Sequence, residues 1–258
     1  MKKLILFASA LCMSVCAMAQ SEFYVYKKDG SSVQFTIADV DSISFTAPAT
    51  GTGTANGHEW VDLGLPSGLK WATCNVGATK PEEYGDYFAW GETEPNTTYD
   101  WNTYKWATAT WDATYESWQL ETLTKYCTSG EYGTVDNKTV LDLEDDAARA
   151  NRGGAWRMPT DAEWTELREN CTWTWTTKNG VNGYEVKSKT NGNSIFLPAA
   201  GYCGNDGLDN AGNYGNYWSS SLNADDTNDA LHVLFYSDGV YRNDYGYRCC
   251  GQSVRPVL

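Results

Sequence analysis

Hydrophobic and polar positions alternate in short stretches along most of the chain, and a helical period is rare. In residues 22–46, apolar and polar side chains alternate on both sides of the pair Asp29-Gly30. A period of two is typical of half-buried strands, and Asp-Gly favours a tight turn between two strands. The segment therefore predicts a small β-module.

Residues 160–171 carry the clearest helical pattern. Thr160 can accept a hydrogen bond from the first turn, and Glu163 three positions later completes a capping box. The apolar residues then fall on one helical face, at Trp164, Leu167 and Cys171. Two shorter stretches, 120–126 and 145–150, predict further helical turns.

The region from residue 57 to 258 otherwise consists of short strand-like pieces separated by Gly and Asn turns. This pattern predicts an α+β domain with few helices, short β-strands and long loops. The domain is poor in Leu and Ile but the chain has 12 Trp. Aromatic side chains must then build the core, and the Trp residues expected to be buried are Trp71, Trp90, Trp156 and Trp218.

The N-terminus predicts export. Lys2 and Lys3 precede an apolar run over residues 4–15, and Ala17-Met18-Ala19 fits an A-x-A cleavage site. Residues 1–19 thus resemble a signal peptide, residues 20–46 form the β-module, and residues 47–56 form a flexible Gly/Thr-rich linker. Cleavage is favoured over lipidation at Cys16, because Val15 is larger than the residue usual before a lipidated cysteine. We expect an extracytoplasmic protein, secreted or at the cell surface, with the periplasm as the alternative.

Composition excludes several classes of function. The formal net charge is −14, with 19 Lys and Arg against 33 Asp and Glu, which argues against nucleic acid and anionic membranes as partners. No later run is long enough for a transmembrane segment. Six cysteines remain after cleavage, and their 15 possible full pairings stay open. The chain has two histidines and no Cys-x-x-Cys motif, so we expect no metal and no cofactor.

The C-terminal stretch 230–251 is the candidate working surface. Val233 and Phe235 alternate with more polar neighbours, which predicts a strand that buries this pair, and Asp238-Gly239 predicts a hairpin turn. Tyrosines mixed with small polar residues follow, a composition typical of binding surfaces. A polar surface loop with tyrosines lying on the body of the domain is the alternative.

Several motifs together resemble the Fibrobacter succinogenes major paralogous domain. The similarity covers nearly all of residues 57–258. Its strongest stretches are Trp156-Arg157-Met158-Pro159-Thr160, Tyr217-Trp218-Ser219-Ser220-Ser221 and Ser253-Val254-Arg255-Pro256-Val257, together with residues 57–78, 84–92 and 196–202. The resemblance implies a C-type lectin-like fold in the variant shared with formylglycine-generating enzymes, in an exported protein of gut Bacteroidota.

Relatives with this ending resemble the variable target proteins of diversity-generating retroelements. There, Asn codons of a template are copied with random replacement at adenines, which can yield His, Leu, Tyr, Asp, Gly or Cys but never Lys, Glu, Gln, Met or Trp. From residue 219 to 251 none of those five excluded types occurs, although they are nearly absent back to residue 190 as well. The implied variable ligand-binding positions are His232, Leu234, Tyr236, Asp238, Tyr241, Asn243, Asp244, Tyr245, Gly246, Tyr247, Cys249 and Cys250.

Two motifs could suggest calcium. Glu94-Pro95-Asn96 matches the sugar-binding tripeptide of calcium-dependent lectins, but the companion Trp-Asn-Asp strand is missing. The cluster Asp142, Glu144, Asp145 and Asp146 fits a solvated helix start better than an ion site. An oxidase of the formylglycine-generating type would need a spaced cysteine pair, whereas Cys249 and Cys250 are adjacent.

Two classes of function follow. The first is a non-enzymatic protein whose variable surface binds a protein or glycan ligand on another cell, a phage or a host surface. The second is a carbohydrate-binding or glycan-utilisation accessory protein, in which exposed Trp side chains stack on sugars.

Overall fold

The computed structural model describes residues 22–37 and 51–258. The chain divides into two compact units, residues 1–48 and 49–258. The predicted signal peptide, with its alternative lipidation site Cys16, and the part of the β-module after residue 37 lie outside the described residues. Neither helix in the described ranges has the length and apolar character needed to cross a membrane.

The first unit contains one antiparallel hairpin. Strands β1 (Glu22–Tyr26) and β2 (Ser32–Thr36) pair from Glu22 opposite Thr36 to Tyr26 opposite Ser32. Gly30 adopts a φ of +85°, a conformation that favours glycine, and Asp29 accepts a hydrogen bond from the Ser31 amide at 2.9 Å. The hairpin around Asp29-Gly30 is confirmed.

The second unit is built mainly from short strands. They are β3 (Thr52–Ala55), β4 (His58–Asp62), β5 (Lys70–Ala72), β6 (Tyr87–Phe88), β7 (Ala107–Asp112), β8 (Ser117–Leu123), β9 (Cys171–Lys178), β10 (Val181–Ser188), β11 (Ser194–Pro198), β12 (Tyr202–Gly204), β13 (Gly207–Asp209), β14 (Gly215–Leu222), β15 (Asp229–Tyr236), β16 (Gly239–Tyr247) and β17 (Gln252–Ser253). The helices are α1 (Ala147–Arg152) and α2 (Asp161–Asn170), with a 3-10 turn at Leu143–Asp145. Many short strands with few helices are what the sequence predicts.

The largest sheet has five strands in the order β16-β15-β14-β17-β6. Sheets β3-β4-β5 and β11-β10-β9 have three strands each, and β7-β8 and β12-β13 are hairpins. The C-terminal strand β17 runs parallel to β14 and antiparallel to β6, so the end of the chain lies inside the large sheet. This position buries residues 251–257 and leaves β16 as an edge strand.

The predicted linker is partly a strand. Residues 52–55 form β3 and pair with β4 through the turn Asn56-Gly57, where both residues have positive φ, +49° and +80°. Asn-Gly is the pair that a two-residue hairpin turn requires. A linker over the whole of 47–56 is therefore wrong from residue 52 onward, because this turn chemistry outweighs the flexible composition.

Helix α2 matches its prediction. The Thr160 side chain accepts a hydrogen bond from the Glu163 amide and the Glu163 carboxylate accepts one from the Thr160 amide, while Trp164, Leu167 and Cys171 are buried.

Helix α1 lies two residues later than predicted, with Asp146 as its cap. The helix predicted over 120–126 is wrong. Residues 117–123 form β8, and Tyr126 has a φ of +58°, which no right-handed helix contains.

The core is aromatic. Trp71, Trp90, Trp156 and Trp218 are each fully buried, as predicted. The indole N–H of Trp90 donates to the Ser219 carbonyl at 2.8 Å, and that of Trp218 donates to the Phe88 carbonyl at 2.8 Å. The Trp90 and Trp218 donors thus find acceptors, so these two rings both fill the interior and join separate segments.

Replacing Trp90 or Trp218 with Ala should lower the free energy of unfolding by about 3–5 kcal/mol, because each removes a large buried ring and leaves a cavity. Urea denaturation measures this loss. Tyr115→Ala is the matched control, since that ring is 74% exposed and its loss should change stability by less than about 0.5 kcal/mol. Equal effects in the Trp variants and the control would refute this account of the core.

Candidate ligand-binding surface

The predicted surface is the hairpin β15-β16 at the edge of the large sheet. Tyr236 pairs with Gly239, so the loop contains only Ser237 and Asp238. The predicted turn at Asp238-Gly239 is therefore displaced by one residue. Pairing continues to Tyr236 and Gly239, which makes Gly239 the first residue of β16.

The inner residues of the hairpin belong to the core. Val233 and Phe235 are buried, and the Phe235 ring stacks on Tyr217 with 5.7 Å between centroids. Gly215 lies so close to Phe235 that a side chain there would overlap the ring. Val240 is half-buried against the same cluster. The predicted burial is confirmed for Val233 and Phe235 and holds in part for Val240.

A bulge in β16 separates the tyrosines. His232 pairs with Asp244 and Leu234 pairs with Tyr241, so two steps along β15 correspond to three along β16. Tyr241 then lies opposite Leu234, while Tyr245 lies opposite Leu231. Because Leu231 and Leu234 are three residues apart in one strand, Tyr241 and Tyr245 point to opposite faces.

Exposure of the tyrosines is confirmed, but their predicted grouping is wrong. Tyr241, Tyr245 and Tyr247 are 41%, 57% and 58% exposed, and each has different neighbours. The bulge is the physical reason that Tyr241 is separated from Tyr245, since an extra residue reverses the alternation of the strand. Tyr245 and Tyr247 follow the bulge on one face but border different clefts, so the surface has three subsites.

The first subsite is a tyrosine stack of Tyr214, Tyr236 and Tyr241. The Tyr236 and Tyr241 rings are 4.9 Å apart and inclined by 20°, and Tyr214 lies 5.3 Å from Tyr236. The hydrogen bond with Tyr241 raises the pKa of Tyr236 to about 12, so the Tyr236 phenol is neutral at physiological pH. The cleft beside the stack is lined by polar and aromatic groups of Trp175, Asn182, Asn210, Asn213 and Ser237.

The second subsite surrounds Tyr245 and is acidic. Leu222 and Leu231 form its apolar side, Asp225 and Asp226 come from the loop after β14, and Asp161 is the first residue of α2. Three carboxylates beside an exposed tyrosine favour a basic or polar ligand group here.

The third subsite surrounds Tyr247 at the end of β16. The Tyr247 ring lies 5.8 Å from that of Trp101, which is buried. The cleft between them continues toward the hairpin β7-β8. Tyr247 thus connects the C-terminal hairpin to the region of Trp101 and β7-β8.

Two of the predicted surface residues are buried, which corrects their assignment. His232 is 6% exposed, and its Nδ1 lies 2.8 Å from the Gln252 amide nitrogen with Trp218 beside the ring. Cys249 is 5% exposed, and its hydrogen bond with Cys250, together with burial, raises the pKa of its thiol. His232 packs inward because its side of β15 faces Trp218 in this part of the strand.

The remaining candidates are divided between the surface and its margin. Asp238 is exposed at the loop, whereas Leu234, Tyr236, Gly246 and Cys250 are half-buried. Asn243 and Asp244 lie in β16 next to the bulge. All six cysteines in the described ranges are free thiols, Cys74, Cys127, Cys171, Cys203, Cys249 and Cys250.

Arg248 is a positioning residue that the sequence argument missed. It is fully buried directly after Tyr247, and its guanidinium lies over the Trp90 and Tyr104 rings. It donates at 2.9–3.1 Å to the Tyr104 hydroxyl and to three carbonyls, those of Lys125, Tyr126 and Thr227. Arg242 and Arg248 are the only cations between Lys189 and Arg255, a scarcity that could have marked them.

The two calcium motifs have other roles. Asn96 donates its amide to the Glu92 carboxylate at 2.7 Å, within a loop. In the acidic cluster, the Lys125 ammonium lies 2.8 Å from Asp142 and 2.5 Å from Asp145. A lysine thus occupies the position that a cation would take, and Asp146 caps α1.

No protein-family model, curated protein or solved structure matches the chain. The resemblance to the major paralogous domain therefore depends on the motifs themselves. The geometry of the surface is independent of that resemblance, because pairing, burial and ring contacts define it.

The buried His232 should not share the tolerance expected of the tyrosines. His232→Asp should lower the free energy of unfolding by about 2 kcal/mol or more, because it places a charge beside Trp218 and loses the contact with Gln252. Tyr241→Asp, which places the same side chain at an exposed position of the same hairpin, is the control and should change stability by about 0.5 kcal/mol or less. Urea melts compare the two, and equal losses would contradict the division into buried and displayed positions.

Asp229, opposite Tyr247 at the start of β15, should make stability depend on pH. Burial and then the neighbouring Asp226 raise its pKa from 3.8 to about 6. The folded state therefore binds the proton more tightly than the unfolded chain. This stabilisation is present below about pH 4 and is lost as the pH rises through about 6.

Asp229→Asn should consequently raise the free energy of unfolding at pH 7.5 by roughly 1–3 kcal/mol and should give little gain at pH 4. Urea melts from pH 4 to 8 measure the difference. Asp225→Asn, on the exposed loop nearby, is the control and should show no such dependence. A gain that is the same at every pH would contradict the assignment.

Proposed function

We propose that this is an exported, non-enzymatic ligand-binding protein that displays a variable C-terminal surface on a C-type lectin-like scaffold of the major paralogous type. Its partner is a protein or glycan on another cell, a phage or a host surface. The protein acts outside the cytoplasm, secreted or on the cell surface. Variation arises from a diversity-generating retroelement that copies Asn codons with errors at adenines.

The alternation within β15-β16 is the observation that carries this proposal. Val233 and Phe235 hold the hairpin to the core, while Tyr241, Tyr245 and Tyr247 project from the edge strand with 41–58% of each side chain exposed. Side chains on an edge strand can change without breaking the pairing of the inner strands. Exposed tyrosines supply large contact areas at a low cost in conformational entropy.

This proposal assigns fewer positions to ligand contact than the codon pattern alone implies. His232 and Cys249 are buried, so they are excluded from direct ligand contact. Ligand contact is assigned to the exposed members of the set and to neighbours of fixed sequence such as Tyr214, which is 38% exposed. A non-enzymatic role is supported by the adjacency of Cys249 and Cys250, because an oxidase of the formylglycine-generating type would need a spaced cysteine pair.

The DNA around the gene tests the retroelement. We expect a reverse transcriptase gene and a near-identical repeat of the segment encoding residues 230–251, with adenines at the variable codons. Deep sequencing of a growing culture should find substitutions confined to those adenine positions. Substitutions spread evenly over all bases, or flanking DNA without a repeat, would count against diversification.

A display library tests the binding surface itself. Codons 236, 241, 245 and 247 are replaced by the mixture that adenine replacement in an Asn codon produces, and clones are selected on an immobilised test protein such as lysozyme. Most clones should keep the protease resistance of the parent, and selection should return binders that lose binding when their variable tyrosines are changed to Ser. A matched library at the buried codons 217, 218, 233 and 235 should be mostly protease-sensitive. Comparable sensitivity of the two libraries would contradict the proposed scaffold.

A further inference from the structure

The cleft beside Tyr247 has an aromatic floor and aromatic walls. We name it the Trp101 cleft, and its described lining consists of Tyr99, Asp100, Trp101, Ser117, Trp118, Gln119, Gly204, Asn205, Tyr247, Cys249 and Cys250. Tyr99 and Trp101 are buried in the floor, whereas Trp118 is half-exposed and Tyr247 is 58% exposed. The cleft encloses about 280 Å³ and opens to the surface.

The aromatic walls belong to separate elements. Trp118 is in β8 and pairs across the hairpin with Trp111 in β7, with 5.6 Å between the rings. Trp111 is 52% exposed, so this hairpin presents indole surface next to the cleft. Tyr247 comes from β16 on the other side. Exposed rings at this density are unusual for a surface with no ligand.

The polar side chains available in the cleft are Asn205, which is exposed, and Asp100, which is half-exposed. The thiols of Cys249 and Cys250 complete the lining. Gln119 donates its amide to the Ser117 hydroxyl at 2.7 Å, on the face of β8 opposite Trp118. None of the lining residues is Lys or Arg. A site without a cation disfavours anionic ligands, and the chain's net charge of −14 adds to that repulsion.

We propose that the Trp101 cleft binds a neutral saccharide. The C–H face of a sugar ring stacks on Trp118 and Tyr247, and its hydroxyls exchange hydrogen bonds with Asn205 and Asp100. Aromatic rings bind apolar ring faces, while amide and carboxylate groups match hydroxyls that both donate and accept. Few polar groups within an apolar cleft are typical of small-molecule sites.

This inference rests on the proposed function in one respect, since Tyr247 belongs to both surfaces. Trp101, Trp118 and Asn205 lie outside the variable segment and would recognise the sugar in every variant. Tyr247 would then tune affinity, whereas Tyr241 lies in the separate tyrosine stack. A quaternary ammonium is the competing ligand for an aromatic cleft with one carboxylate.

The test uses the purified full chain on a glycan array that holds neutral and anionic oligosaccharides, followed by titration calorimetry with the best neutral hit. We expect binding to neutral glycans. Trp118→Ala and Asn205→Ala should each weaken it by about tenfold or more. Tyr115→Ala is the matched control and should leave binding unchanged, because this exposed ring lies in the turn of the same β7-β8 hairpin but does not line the cleft. Thermal melts of each variant show whether the fold persists, and Trp118→Phe should retain part of the affinity if ring stacking is the cause.

Several results would overturn the assignment. These are an array without neutral hits at millimolar glycan, unchanged affinity in folded Trp118→Ala and Asn205→Ala, or displacement of the glycan by choline. If the proposed function fails but the saccharide site is real, the four-tyrosine display library returns no binders while Trp118-dependent glycan binding remains.

Discussion

The end of the edge strand depends on one buried cation. Arg248 is fully buried, and its guanidinium donates to neutral acceptors, three carbonyls and the Tyr104 hydroxyl. A buried charge is stable only when its donors are satisfied, so the loops that supply these oxygens must keep their positions. Arg255 is also buried, and its guanidinium donates hydrogen bonds to the Asn75 side chain and to the carbonyls of Ala72, Thr73 and Phe196. Burial lowers the pKa of Arg255. Two arginines thereby fix the chain on both sides of β17, and side chains between them can vary only where they point outward.

The bulge in β16 determines what that outward surface can recognise. Without it, Tyr241 and Tyr245 would lie on one face and make one aromatic patch. With it, the hairpin presents a tyrosine stack, an acidic subsite at Tyr245 and the Trp101 cleft at Tyr247, each bordered by different fixed residues. A single variable strand can then contact a ligand through chemically different neighbours, and specificity arises from their combination.

The sequence predicts local structure well where local chemistry decides it. The capping box of α2, the Asp29-Gly30 hairpin and the burial of Phe235 follow from spacing alone. The errors occur where tertiary contacts decide the outcome. Residues 120–126 have helical composition but pair with β7, and an insertion of one residue in β16 cannot be read from alternation. His232 fits the codon argument, yet its burial depends on Trp218, which lies in a different strand.

Which positions can vary on such a scaffold depends on whether the side chain faces the core or the solvent, and not on where the residue stands in the sequence. Val233 and Phe235 must remain because Gly215 and Tyr217 are shaped around them. His232 and Cys249 are buried, so changes there would alter stability before they altered recognition. Changes at Tyr241, Tyr245 and Tyr247 would cost less stability, because 41–58% of each side chain is exposed. A retroelement that changes the codons of buried and exposed residues alike would therefore produce variants that do not fold, through changes at His232 and Cys249. Ligand selection would then act mainly on the tyrosine positions.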